Sequence, residues 1–153
     1  MCNQVNILVS RESGLEPNVP LPTYQSAGAA GADICAYLPN GSVALAPLER
    51  IRIPTGLRLE IPDGYEVQIR PRSGLTLTSG LTVLNAPATI DSDYRGQIDV
   101  ILYNAGLQLV KVSHGDRIAQ IIVAPVVRAQ FRLCKNLSKT TRGSDGFGST
   151  GID

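Results

Sequence analysis

The chain has 153 residues, of which 43% are hydrophobic and 18% are charged, a composition typical of one globular domain. Fourteen Lys and Arg against thirteen Asp and Glu give a net charge of +1, which argues against a general electrostatic attraction to nucleic acid or to an anionic membrane. We therefore expect neither as a partner, and any binding of phosphate has to be local.

The N-terminus and the cysteines bear on where the protein works. The first ten residues, MCNQVNILVS, lack a basic region followed by a long apolar run, and the sequence contains no stretch of about 18 apolar residues. We therefore expect neither export nor insertion into a membrane. Cys2, Cys35 and Cys134 are odd in number and widely spaced, which argues against a disulfide framework and against a cysteine-based zinc site. A reducing cytoplasm is the expected location.

Glycine and proline punctuate the chain between short runs rich in Val, Ile, Leu and Tyr, a pattern typical of an all-β domain. Before Pro71 we predict four or five strands, carried in order by ICAYL, SVALA, RIRI, LRLEI and YEVQIR and separated by the turns PNG, PTG and PDG. The alternation of apolar and polar residues is clearest in RIRI and LRLEI.

After Pro71 the pattern predicts one short helical turn and then more strands. TLTSG is expected to form the turn, and LTVLN to return to extended structure. Further strands are predicted at IDVILYN, RIAQIIVA and VVRAQFRL, the last two meeting at Pro125. No repeat or linker divides the chain, so residues 1–134 are predicted to form a single jelly-roll-like β-sandwich or barrel.

From about Lys135 the composition becomes polar and rich in glycine. Residues 142–151, RGSDGFGSTG, contain four glycines around one arginine and one phenylalanine. Composition alone favours a disordered terminus. The alternative is a flexible Gly-rich C-terminal arm, residues 135–153, that carries Arg142 and Phe147 to a phosphorylated ligand and closes over it.

The motif PRSGL, residues 71–75, follows the strand YEVQIR. Pro71 restricts the backbone and Gly74 permits a tight turn, while Arg72 and Ser73 add a planar cation and a hydroxyl. Together these groups could cradle a phosphate. A strand-end turn with an exposed arginine explains the same residues.

A second motif lies in ATIDSDYRGQIDVILYN, residues 88–104. Its apolar run is interrupted by polar residues and then resumes, as in a β-hairpin that carries functional residues between its strands. Asp91 directly follows Thr89 and Ile90, so we expect it at the end of a packed strand, where its position would be rigid. A carboxylate held there could orient and deprotonate a water molecule. Asp93 is interpreted as a turn cap or the partner of an arginine.

Three further polar residues stand at the edges of apolar runs. Gln120 in GDRIAQII needs partners if it is buried, so it either satisfies backbone groups or holds a ligand or water. Asp33 in AGADI could cap a turn or face a metal-bound water. His114, the only histidine, has no Cys or carboxylate partner at ligand spacing and is predicted to be an exposed turn residue.

Taken in order, AGADI, PRSGL, TIDSDYRG, GDRIAQ and RGSDGFGSTG closely resemble the five motifs of the homotrimeric dUTP pyrophosphatases, the dUTPases, over residues 28–151. The resemblance implies a jelly-roll-like fold and a homotrimer whose active sites, at the subunit boundaries, receive residues from three chains. It implies hydrolysis of dUTP to dUMP and pyrophosphate with Mg²⁺, which keeps uracil out of DNA and supplies dUMP for thymidylate synthesis.

The resemblance also implies roles for residues of the body. Asp91 would be the base that positions water for attack on the α-phosphorus, and Asp33 would act on Mg²⁺ through its water shell. Tyr94 would stack beneath the deoxyribose and exclude a 2′-hydroxyl. The phosphates would be bound by Arg72, Ser73, Gly74 and Gln120. Uracil would be bound by Asn85 and by the backbone from Thr89 and Ile90 to Asp99.

In the arm, the resemblance implies that Phe147 covers the uracil and that Arg142 meets the γ-phosphate. The triphosphate would receive further hydrogen bonds from Gly148, Ser149 and Thr150. Asp145 stands where the family frequently has glycine, and its negative charge should oppose binding by about 1 kcal/mol if it is exposed and screened.

Two other readings of the sequence stay open. A related family on the same fold deaminates dCTP with a glutamate in the strand after the aspartate motif, but this chain has Ile101 there and no glutamate after Glu66. A β-sandwich nucleotide-binding module without catalysis would explain the strands and the tail. It would not explain why Asp91, Tyr94, Arg72 and Phe147 coincide in order with the motifs of the resembled family.

Overall fold

The computed structural model describes residues 4–11 and 19–146. Within these residues the chain forms eleven β-strands and one short helix. The elements are β1 Leu8–Arg11, β2 Thr23–Tyr24, β3 Ala32–Cys35, β4 Ser42–Leu45, β5 Arg50–Glu60, β6 Tyr65–Arg70, α1 Ser73–Ser79, β7 Leu81–Val83, β8 Ala88–Ile90, β9 Gln97–Asn104, β10 Val110–Ser113 and β11 Arg117–Pro125. In the described part of the chain no helix is long and apolar enough to span a membrane.

Two larger antiparallel sheets and one small one contain all the strands. The first sheet has the order β1-β5-β9-β7, and the second has the order β2-β3-β11-β6-β8. β10 pairs with β4 in the two-stranded sheet. The prediction of an all-β fold is confirmed.

The hydrophobic core lies between the two larger sheets. Ile53 and Leu102 from the first sheet and Val67 and Ile69 from the second are at most 1% exposed and belong to one cluster. Because alternate residues of β9 point to opposite faces, Ile98, Val100 and Leu102 enter this core in turn. This packing is the sandwich that the alternating sequence predicts.

β5 differs from the prediction, which divided it at a PTG turn. The chain continues as one strand of eleven residues, and its pairing with β9 shifts register between Pro54 and Arg58. Gly56 adopts a φ of +70°, and a Cβ there would lie 3.1 Å from the ring of Tyr37. PTG is therefore an irregularity within a strand and not a reversal of the chain.

The predicted strand VVRAQFRL is wrong for the described chain, since no strand is assigned between residues 126 and 133. Val127, Phe131 and Leu133 are almost fully exposed. A strand requires a hydrogen-bonded neighbour, which the described residues of this chain do not provide for the segment.

His114 is half-buried, which corrects the prediction of an exposed turn residue. Its Nδ1 accepts a hydrogen bond from the backbone N–H of Leu38 at 3.0 Å. Its ring meets that of Tyr37 edge-on, with centroids 5.4 Å apart. The lone histidine therefore joins two loops that are 76 residues apart in sequence.

Replacing His114 with alanine should lower the free energy of unfolding by about 1–3 kcal/mol, because the N–H of Leu38 would lose its partner in a partly buried position. Denaturant unfolding at fixed protein concentration measures this. His114→Asn is the matched control, since its amide oxygen can accept the same bond and should restore part of the loss. Equal stability of wild type and His114→Ala would show that this bond contributes nothing.

Candidate active site

The first cluster of predicted site residues lies at one end of the second sheet. Asp33 on β3 is 8% exposed and accepts hydrogen bonds from Arg72 Nε and Arg117 Nη1, each at 3.1 Å. Arg72 Nη1 also donates to the carbonyl of Arg117 at 3.0 Å. Two guanidinium groups thus share one carboxylate, which leaves a net positive charge suited to a phosphate. We call this cluster, together with Gln120, the arginine end.

Gln120 joins the arginine end through the register of the sheet. It lies opposite Asp33 on β3 and opposite Arg70 on β6. Its Nε2 donates to the carbonyl of Pro71 at 2.9 Å, so the amide ties β11 to the PRSGL motif. A Cβ at Gly31 would lie 2.9 Å from Gln120 Cδ, and glycine at that position makes room for the amide.

Ser73 and Gly74 open α1 next to Arg72, and both are exposed. The prediction that Gly74 forms a tight turn is wrong, because Gly74 lies within α1 and is not among the residues with positive φ. Apart from its chain neighbours and the backbone of α1, no described atom lies within 4 Å of a Cβ placed at Gly74. Glycine here leaves the backbone open to an approaching group, at a cost in helix stability of about 1 kcal/mol relative to alanine.

Asp91 lies elsewhere, directly after β8 as predicted, on the rim of an open cleft of about 630 Å³. The cleft, called here the Asp91 cleft, is lined by Asp63, Gly64, Tyr65, Glu66, Asp91, Ser92, Asp93, Val126 and Arg128. Asp91 is exposed and its carbonyl accepts the N–H of Tyr94 at 3.2 Å in a turn. An exposed carboxylate at a strand end is accessible to water and to a substrate.

The segment after Asp91 does not form the predicted hairpin. β8 pairs with β6 in the second sheet and β9 pairs with β5 and β7 in the first, so residues 91–96 cross between the sheets. The ring of Tyr94 is 44% exposed, and its hydroxyl donates to the carbonyl of Gln97 at 3.1 Å. Hairpin pairing is absent because β8 and β9 belong to different sheets.

The other predicted uracil-binding residues lie on the segments before and after this crossing. Asn85 is exposed in the turn between β7 and β8, and Thr89 and Ile90 lie on β8. Asp99 on β9 accepts a hydrogen bond from Gln97 Nε2 at 2.9 Å and pairs with Arg52 at 3.3 Å.

The arginine end and Asp91 are far apart within one chain. Val67 of β6 lies opposite Ile90, so Asp91 is next to the start of β6, whereas Arg72 follows its end. Arg72 has an extended backbone, and the six steps from Glu66 to Arg72 span about 20 Å at the rise of a β-strand. No side chain bridges that distance, so the two groups of predicted site residues are separate within one chain.

The described part of the arm has only turns and bends. Arg142 is exposed and its Nε donates to the carbonyl of Asp145 at 2.9 Å, while the N–H of Asp145 donates back to the carbonyl of Arg142 at 3.1 Å. These two hydrogen bonds close a turn that places Asp145 next to Arg142. The predicted residues Phe147, Gly148, Ser149 and Thr150 lie outside the described residues.

Arg117 is not among the residues predicted for the site, because GDRIAQII reads locally as a turn that feeds a strand. Its contact with Asp33 spans 84 residues and depends on the pairing of β11 with β3. The only local signal was that Arg117 lies three residues before Gln120 on the same strand. Nearby, burial raises the pKa of the Cys35 thiol, with Arg117 opposing part of the increase.

The side chains of the arginine end could contact a metal ion only through a bound water. Among the described residues no group of three His, Cys, Asp or Glu side chains could hold a metal ion. Both oxygens of Asp33 accept hydrogen bonds from arginines. Each carboxylate oxygen has a second lone pair, so Asp33 can still accept a hydrogen bond from a water bound to Mg²⁺.

Comparison with known proteins gives a consistent result. The family model described as dUTPase matches residues 17–151. The deoxyuridine 5'-triphosphate nucleotidohydrolase of Roseobacter denitrificans is 57% identical over 149 residues, covering 97% of this chain and 98% of that relative. Its counterpart from Treponema pallidum is 52% identical, covering 89% of this chain and 93% of that relative. The structure of the Staphylococcus bacteriophage 80alpha dUTPase with dUpNHpp shares the fold, with a TM-score of 0.84 at 24% identity, over 96% of this chain and 99% of that one.

Proposed function

Because the chain belongs to the dUTPase family, we propose that it hydrolyses dUTP to dUMP and pyrophosphate. The match of the family model to residues 17–151 carries this proposal, since it spans the PRSGL, TIDSDYRG and GDRIAQ motifs as well as the glycine-rich tail. The activity lowers the supply of dUTP, keeps uracil out of DNA and provides dUMP for thymidylate synthesis.

The active site forms between copies of the chain in a homotrimer. Arg72 and Asp91 lie about 20 Å apart along β6, too far to act on one triphosphate from the same subunit. A second copy that brings its arginine end to the Asp91 cleft completes the set of residues that the reaction requires. This distance supports an active site that is shared between subunits.

The segment after β11 supports association of the chains as well. Val127, Phe131 and Leu133 are spaced by even numbers, so in extended backbone they lie on one face. They are 94%, 95% and 105% exposed, which is unusual for adjacent apolar side chains on a lone subunit. Contact with another copy would bury them.

Asp91 activates the water that attacks the α-phosphorus. The water oxygen forms the new bond to phosphorus, the bond from phosphorus to the α,β-bridging oxygen breaks, and pyrophosphate leaves with that oxygen. The water gives its proton to the Asp91 carboxylate, which is exposed on the rim of an open cleft and free to approach it.

The arginine end binds the phosphates. Arg72 is held by Asp33 and by the carbonyl of Arg117, so its orientation is set before substrate arrives. Ser73 and Gly74 present an exposed hydroxyl and an open backbone beside it. Gln120 binds phosphate or the attacking water. Such pre-oriented donors neutralise the charge that develops during phosphoryl transfer.

The crossing between the sheets binds the nucleoside. Asn85 and the backbone of residues 89–99 pair with uracil, and Tyr94 stacks beneath the deoxyribose. A narrow pocket excludes the thymine methyl by collision and rejects cytosine by leaving polar groups unpaired. Arg142, Phe147, Gly148, Ser149 and Thr150 of the arm, residues 135–153, close over the bound nucleotide.

The triphosphate and water would supply most ligands of Mg²⁺, with Asp33 reaching it through a bound water, since the described residues offer no protein cage. When bound, Mg²⁺ neutralises charge on the phosphate oxygens.

We also infer a cytoplasmic location, which is supported by the free thiols of Cys35 and Cys134.

Incubation with dUTP, dCTP or dTTP and Mg²⁺, following pyrophosphate and ammonia, tests the reaction. We expect pyrophosphate from dUTP alone and no ammonia. Ammonia from dCTP would indicate a deaminase, and absence of any product would indicate a binding module. The mass in solution should be about three times the 16.3 kDa of the chain.

A further inference from the structure

Gly96 lies in the crossing between β8 and β9, in the segment DSDYRGQ. It is not among the glycines with positive φ, so its backbone conformation is open to any L-amino acid. The need for glycine at this position must therefore come from its surroundings.

The ring of Tyr94 occupies the space that a side chain at position 96 would need. A Cβ there would lie 2.9 Å from Tyr94 Cε2 and still nearer to Cζ and the hydroxyl oxygen. The hydroxyl is in turn held by the carbonyl of Gln97 at 3.1 Å. The ring thus lies against the bare backbone of Gly96 and is fixed at its far end.

Little else in the fold requires the ring to stay there. Tyr94 is 44% exposed and does not belong to either core cluster, so moving its ring empties no buried cavity. A larger residue at position 96 would displace the ring while the sandwich remains intact.

We propose that Gly96 is a positioning residue that sets the ring of Tyr94 against the pentose and thereby determines selectivity for deoxyribose over ribose. The proposal rests on the proposed function, in which Tyr94 excludes a 2′-hydroxyl. Gly96 has no side chain that could contact the pentose, and its effect on selectivity comes from the space that it leaves for the ring.

The test is a double-mutant cycle of Gly96→Ala and Tyr94→Ala, with kcat and KM measured for dUTP and UTP. Gly96→Ala should lower the ratio of kcat/KM for dUTP to that for UTP by about 10-fold or more, because the displaced ring no longer fills the space of a 2′-hydroxyl. Tyr94→Ala should lower the same ratio at least as much. Tyr94→Phe, which keeps the ring, should retain most of the selectivity.

Adding Gly96→Ala to Tyr94→Ala should have no further effect, since the three atoms nearest to a Cβ at position 96 all belong to the side chain of Tyr94. Full additivity, or unchanged selectivity in Gly96→Ala, would overturn the proposal. Gly28→Ala is the matched control, because Gly28 is exposed, is not at positive φ and has nothing within 4 Å of a Cβ. It should behave as wild type.

Folding is monitored for each variant by its thermal midpoint. If Gly96→Ala fails to fold but the double variant folds, the collision with Tyr94 is supported; if both fail, the backbone requires glycine and the proposal is wrong. Selectivity that persists in Tyr94→Ala while the wild type hydrolyses dUTP overturns this proposal alone. A wild type without dUTP hydrolysis contradicts the proposed function.

Discussion

Asp91→Asn should lower kcat for dUTP hydrolysis by about 100-fold or more while leaving the fold intact. The amide has the size of the carboxylate but cannot accept the proton of the attacking water. Because Asp91 is exposed at the end of β8, the substitution disturbs no buried contact. Steady-state kinetics with dUTP measure the loss, and binding of a non-hydrolysable dUTP analogue should be nearly unchanged.

Asp93→Asn is the matched control for this experiment. Asp93 lines the same cleft two residues further on, is also exposed, and loses the same charge on substitution. Its kcat should stay within about two-fold of wild type, since it has no assigned proton transfer. Equal losses in both variants would mean that the charge of the cleft matters and that Asp91 is not the base.

Mixing two inactive variants should restore activity. Arg72→Ala and Asp91→Asn each remove one part of the site, and these parts lie about 20 Å apart in one chain. If a site takes Arg72 from one subunit and Asp91 from another, random assembly at a 1:1 ratio gives about a quarter of the sites both native residues. Co-refolding the two variants and measuring dUTP turnover should therefore yield about a quarter of wild-type activity.

Each variant refolded alone should stay inactive, which controls for the refolding step. Arg72→Ala leaves Asp33 paired with Arg117, so the buried carboxylate keeps one partner and the subunit should fold. Activity of the mixture no greater than that of the separate variants would place the whole site within one chain and contradict the shared arrangement.

The sequence by itself predicted the features that depend on near neighbours. Alternation in RIRI and LRLEI and the turn residues around them indicated a β-sandwich, because side chains in a strand alternate between core and solvent with a period of two. The same local reasoning put Asp91 at the end of a strand, where the structure has it. The resemblance to the dUTPases, confirmed by the family match, rested on motifs that are each continuous in sequence.

Local reasoning was wrong where a residue's partner is distant in sequence. The PTG segment continues β5 because β9 pairs with both sides of the irregularity, and β8 and β9 form no hairpin because each joins a different sheet. His114 is half-buried because it meets Leu38 and Tyr37, residues that lie far from it in the chain.

Only the tertiary structure brought Asp33, Arg72 and Arg117 together, since their contacts cross 39 to 84 residues and follow from strand order and register. It also separated Arg72 from Asp91 and placed the ring of Tyr94 over Gly96. Spacing along a chain determines which face a side chain occupies, whereas the pairing of strands determines its neighbours. The sequence therefore indicated which residue types the proposed hydrolysis requires. It did not indicate that these residues lie in two separate parts of the molecule.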